Sequence, residues 1–134
     1  MADWNSFYAS WTPRLLSVLR IITGFLFIAH GAQKLFGFLA PPEAPTPPLF
    51  SVIGIGGVLE FFGGLLLLLG LFTRPVAFIL SGMMAVAYFT AHAPQGFWPL
   101  QNKGELAVLY CFVFLFLSVA GGGEWSLDRL LRRR

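Results

Sequence analysis

Cysteine occurs once in this chain, at Cys111 in the middle of an apolar run, which excludes a disulfide, a CxxC redox pair and a cysteine metal cage. A small buried apolar side chain is the role left to it. Charge is almost as scarce: 11% of the 134 residues are Asp, Glu, Lys or Arg against 57% apolar, and the mean hydropathy is +0.75. So few charges cannot cover a water-facing surface, and the composition is that of a membrane protein. Acids are fewer than bases, leaving a net charge of +3, yet the basic residues stand at the ends of apolar runs, with Arg129, Arg132, Arg133 and Arg134 closing the chain. That placement argues against nucleic acid and for anchoring to anionic lipid headgroups.

With about 20 residues needed to cross a bilayer, residues 1–134 predict one transmembrane domain with no separate soluble part. The expected fold is all-α: a transmembrane four-helix bundle with an N-terminal interfacial helix and a short amphipathic C-terminal tail. Trp4, Phe7, Tyr8 and Trp11 recur at helical spacing and stack four aromatics on one face, as interfacial helices do. Pro13 and Arg14 then mark a turn into the membrane. The spans are expected at about 15–39, 50–72, 76–92 and 105–120. A signal peptide is the competing reading of the first, but its apolar core would carry Arg20, which such segments avoid. The proline-rich stretch 41–48 predicts a stiff external spacer. Thr73, Arg74 and Pro75 form a tight turn, with Pro75 at the first position of the third helix. Asn102, three residues before Glu105, predicts the N-cap of the fourth span. In the tail, Ser126 caps a helix whose Leu127, Leu130 and Leu131 lie on the membrane surface. Arg14, Arg74 and the tail arginines share one side of a four-span chain, which predicts cytoplasmic termini.

What the apolar runs do contain is a few ionisable groups. In residues 20–34, RIITGFLFIAHGAQK, the positions Arg20, Gly24, Phe27, Gly31 and Lys34 fall on one helical face, with His30 beside it. Charges at membrane depth face protein, so this face should look into the bundle and be answered from another helix. Glu60 is the answer, in a second span whose Gly54, Gly56, Gly57, Gly63 and Gly64 permit close helix approach. If the first span is centred near Leu26 and the second near Phe61, Glu60 accepts hydrogen bonds from Arg20, His30 or both. Tyr88 and His92 lie one turn apart on the third span. Phe97 and Trp98 are expected to fold over the outer mouth of the bundle, near His30, Lys34, His92 and Glu105.

His30, Gly31 and Lys34 as H-G-x-x-K, Glu60, Gly63 and Gly64 as E-x-x-G-G running on to Thr73 and Arg74, and Pro94, Gly96, Phe97 and Trp98 with N-x-G-E from Asn102 to Glu105 stand in this order over nearly the whole chain. Together they resemble the DoxX family. The resemblance implies a small four-helix bacterial inner-membrane protein with a redox-linked role, the family being named for a subunit associated with a terminal quinol oxidase and with thiosulfate:quinone oxidoreductase.

Three function classes then stand open. In the first, the chain is the membrane subunit of a redox system and binds quinone in a polar pocket formed by Arg20, His30, Lys34, Glu60, Tyr88, His92, Trp98 and Glu105, where histidine and a buried carboxylate pass protons. The sequence encodes no thiol pair, phosphate loop or cluster site, so electrons would travel through quinone, a partner's flavin, or a haem held by the two histidines. In the second class the chain is a noncatalytic anchor or assembly partner of a soluble or membrane oxidoreductase, its buried charges fixing the helix packing. A small-molecule carrier is the third, ranked below both because no broken helix or inverted repeat is evident. Glycine-rich packing in the second span would serve a homo-oligomer as well as a single bundle.

Overall fold

A computed structural model describes residues 3–132; Arg133 and Arg134, counted above among the tail anchors, lie outside the described residues. All of the regular structure in this range is helical: α1 (Trp4–Phe36), α2 (Val52–Leu69), α3 (Thr73–Ala87), the short α4 (Pro99–Asn102), α5 (Glu105–Ala120) and α6 (Leu127–Arg132). A π-helical turn, Tyr88–His92, and a 3-10 turn, Ala93–Gln95, prolong α3. Three of these helices are long and apolar enough to cross a membrane, with α3 taken on to Gln95, while α5 is apolar but shorter at 16 residues. The chain is thus a helical membrane bundle in which α1 packs chiefly on α2 and α3 on α5. Phe27, Leu67, Leu80, Met84, Tyr110, Phe114 and Leu117 fill the space between the pairs.

The expected turn at Pro13 and Arg14 is absent. α1 runs through Pro13 as one helix of 33 residues, capped by Asp3 and stopped by the left-handed Gly37. Nearby hydroxyls take up carbonyls around the proline, Thr12 that of Tyr8 at 2.7 Å and Ser17 that of Pro13 at 3.2 Å. Side-chain and neighbouring-segment bonds of this kind let a membrane helix tolerate proline. Nor does α3 begin at Pro75: it starts at Thr73, because both carboxylate oxygens of Asp128 accept the free amides of Phe72 and Thr73, at 2.8 and 2.9 Å. Pro75 still falls in the first turn, where a missing N–H costs nothing.

Glycine sets the register of α1 against α2. A Cβ on Gly31 would stand 2.4 Å from the Phe61 amide nitrogen, and one on Gly64 would stand 2.9 Å from the Gly24 carbonyl oxygen, so the two backbones touch. Gly63 faces Leu80 of α3 instead, Gly54 meets the carbonyl of Pro48, and Gly56 meets nothing. The expected small-residue face is therefore divided among three neighbours. Level with Glu60 on α2 is residue 30 of α1, and level with Gly70 is Arg20, whose guanidinium reaches that glycine.

Candidate functional site

That register separates the buried charges into two groups. Arg20, 1% exposed, lies ten residues below the level of Glu60, about 15 Å along the helix. It cannot reach the carboxylate. Its Nη1 donates to the Gly122 carbonyl and its Nη2 to that of Trp125 at 2.7 Å, so it fastens the glycine-rich segment before α6 onto α1. Ser17 assists, accepting the Trp125 amide at 2.9 Å, and the Glu124 amide donates to the Pro13 carbonyl at 3.0 Å. The expected Arg20–Glu60 contact came from centring α2 against Leu26, about one turn away from where the glycines seat it.

Glu60 pairs with Lys34, Nζ to Oε1 at 2.6 Å, and not with Arg20 or His30. Gly57 explains the choice: the Lys34 stem lies against the helix there, where a Cβ would come within 2.9 Å of it, and the ammonium extends one turn inward along α2. A long flexible stem easily spans that turn. His30 is level with Glu60 but turns toward α5, where its ring meets the edge of Tyr110 at 6.3 Å. The Glu60 side chain is 5% exposed, and its second oxygen, Oε2, is buried without a hydrogen-bond partner.

A cavity of about 290 Å³ opens beside this carboxylate, with His30, Lys34, Glu60, His92, Lys103 and Tyr110 on its walls. Phe27, Met84, Leu106 and Ala107 supply the apolar remainder. All four long helices contribute. The π turn carries His92 to the wall, and its Nδ1 lies 3.0 Å from the Asn102 carbonyl oxygen. A carbonyl can only accept, so Nδ1 donates, and in the tautomer this selects Nε2 is the acceptor. Asn102 is 1% exposed and fastens the loop between α3 and α5, donating to Gly96 O at 2.9 Å and Tyr88 Oη at 3.2 Å and accepting the Gly104 amide at 2.8 Å. It is not the N-cap of α5; Gly104 holds that position.

Of the eight residues expected at the site, His30, Lys34, Glu60 and His92 meet on this cavity, and the other four stand elsewhere. Arg20 is at the opposite end, and Tyr88 braces the loop through Asn102 and Phe97 O. Glu105 lies in an outer groove with Pro99 and Leu109. Trp98 is 62% exposed and packs edge-on to Phe97, 80% exposed, so neither covers the mouth. Because Asn102 draws the polar backbone of residue 96 inward, the two rings point out, where an interfacial belt accommodates them. Sequence reading missed Tyr110 and Lys103 as wall residues. Tyr110 stands in a long apolar run with no visible partner, and only the packing of α5 on Phe27, 5.2 Å between rings, brings it to the site. Among the described residues no group of three His, Cys, Asp or Glu side chains is placed to hold a metal ion.

The sequence model of one family, DoxX, matches residues 15–93. An uncharacterized protein of Haemophilus influenzae is 45% identical over 87% of this chain and 90% of its own length. Inner membrane protein YqjF of Escherichia coli is 32% identical over 87% of this chain and 92% of its own. A more distant relative in Bacillus subtilis, 28% identical over 83% of this chain and 82% of its own, bears the name "Putative oxidoreductase CatD". No solved structure matches the chain.

Proposed function

The chain belongs to the DoxX family, and from that premise we propose that it is the quinone-binding membrane subunit of a redox system, with the cavity beside Glu60 as the headgroup site. The observation that carries this reading is that Glu60, a wall residue of the cavity, keeps a buried Oε2 without a hydrogen-bond partner. A buried acceptor left unmatched by its own chain asks for a donor from a ligand, which the hydroxyl of the reduced quinone supplies. About 290 Å³ suits one substituted ring and is small for a porphyrin, which favours quinone over haem. The oxidoreductase name of the Bacillus subtilis relative supports a redox role in general.

Bound there, a quinone supplies a couple of two electrons and two protons. The residues of the chain would hold it and handle the protons. Phe27 and Tyr110 would supply aromatic wall, Lys103 and the Tyr110 hydroxyl donors to a carbonyl, and the Glu60 carboxylate and His92 Nε2 acceptors to a hydroxyl. Lys34 fixes the carboxylate and keeps its charge matched inside the bundle. In this reading the protein sits in the bacterial inner membrane with four spans, α5 being the shortest. Both termini are cytoplasmic, because Arg74, Arg129 and Arg132 share one end of the bundle and Lys34 and Lys103 the other.

The test is solvent extraction of the chain purified from bacterial membranes, with quinone quantified by chromatography beside a Glu60→Gln variant. The wild type should carry close to one quinone per chain and the variant at least about tenfold less, the loss of one charge-assisted hydrogen bond. Equal quinone in both, or none above an unrelated membrane protein, overturns the reading. A quinone-free protein that copurifies with a soluble oxidoreductase would establish the anchoring role instead.

A further inference from the structure

A second cavity, about 240 Å³, lies at the opposite end of the bundle, between the start of α3, the end of α5 and the Pro13 and Leu16 turn of α1. Its polar wall is made of Arg74, Arg129 and Arg132 with one acid, Asp128. We propose that this cavity is a binding site for an anionic phosphoester, of the kind borne by acidic membrane lipids.

The charge arrangement carries the inference. Asp128 is spent within the fold, both its oxygens accepting amides at the start of α3, where a helix dipole also favours a negative group. Arg129 is matched by Glu124 at 2.7 Å. Among the described residues Arg74 donates only to a neutral carbonyl, that of Val119, and Arg132 has no acid partner. Among the described residues two guanidinium charges on one concave wall are thus left without a counter-ion, and planar forked donors suit phosphate oxygens. Gly121 makes the wall possible. Its φ of +86° and the 3.3 Å between a would-be Cβ and the Arg74 guanidinium allow that group to lie flat on the backbone. The cavity is also at the right depth: α3 starts and α5 ends beside it, so it meets the headgroup layer, while Pro13 and Leu16 face it with apolar surface suited to a glycerol backbone.

The full-length protein in detergent is examined by native mass spectrometry with phosphatidylglycerol or phosphatidylcholine added, with and without inorganic phosphate. Wild type should retain phosphatidylglycerol over the zwitterionic lipid. Arg132→Gln, which removes no side-chain hydrogen bond or ion pair found among the described residues, should cut that preference about fivefold, and Arg74→Gln with Arg132→Gln should abolish it. Competition by millimolar phosphate would show that the phosphate group itself is recognised from either source; preference without competition would assign the site to the lipid. Equal retention of both lipids without any phosphate effect overturns the proposal, as does a preference that survives in the Arg132→Gln protein while it remains folded by circular dichroism. Quinone content is expected to be unchanged in both variants, so this outcome is independent of the Glu60 site.

Discussion

Arg20 and Glu60 are both ionic side chains almost wholly buried in an apolar bundle, and they stand in opposite situations. Arg20 has its two terminal nitrogens on carbonyls of the segment that follows α5; only Nε is left over. It ties two parts of the chain together. Glu60 has one oxygen on Lys34 and the other buried without a partner, and the residue lines a cavity. Burial of a charge therefore does not distinguish a fastening from a site. What distinguishes them is whether the chain itself fills the hydrogen-bonding capacity of the group's terminal atoms, and whether open volume adjoins the residue.

The comparison breaks most directly at Arg20. Arg20→Ala leaves the carbonyls of Gly122 and Trp125 without their donors and removes a large side chain from a tight space. A loss of about 3 kcal/mol or more is expected, read as a lower unfolding midpoint in mixed micelles. Quinone bound per folded molecule should not change. If Arg20→Ala instead empties the cavity while leaving stability intact, the two ends do not have the separate roles assigned to them.

Next in size is the pair at the other end. Lys34→Met strands a buried carboxylate and should cost about 3 kcal/mol, whereas Glu60→Gln keeps an acceptor for the ammonium and should cost about 1 kcal/mol. The double variant should recover most of the Lys34→Met loss, since it removes the unmatched charge. Ligand retention should follow a different pattern, low in both single variants and not restored in the double. Parallel recovery of stability and binding would mean that Glu60 contributes only packing.

These contrasts also mark how far the sequence could be read. The helical membrane class, the close approach of α1 and α2 and the isolation of Glu60 as a group needing a partner were all legible, because apolar composition, glycine spacing and the cost of buried charge are local properties. Choosing Lys34 over Arg20 was not. It depends on a register shift of about one turn between two helices, which the steric fit of Gly31 on Phe61 fixes and no single segment encodes. Asn102 was misassigned for a related reason: three residues before Glu105 it has the spacing of a cap, but its side chain is taken up by Gly96, Tyr88 and Gly104 across the loop. Tyr110 carried no signal at all, being an aromatic among aromatics until α5 packs on Phe27 of α1.

The smallest effect is expected at Trp98, and it sharpens the boundary of the site. The sequence places this ring over the mouth of the bundle, while the fold leaves it 62% exposed and off the cavity wall. Its structural contribution is made by the backbone: the Trp98 carbonyl accepts the amides of Gln101 and Asn102, both at 3.0 Å, and alanine would keep both bonds. Trp98→Ala should therefore shift stability by no more than about 0.5 kcal/mol. Quinone retention should stay at the parental level, since Lys103 and Tyr110, not Trp98, face the ligand volume. A severalfold loss of retention with unchanged stability would show that residues 93–104 close over the cavity in the bilayer, and that the site has an outer wall beyond the one formed by Lys34, Lys103 and His92.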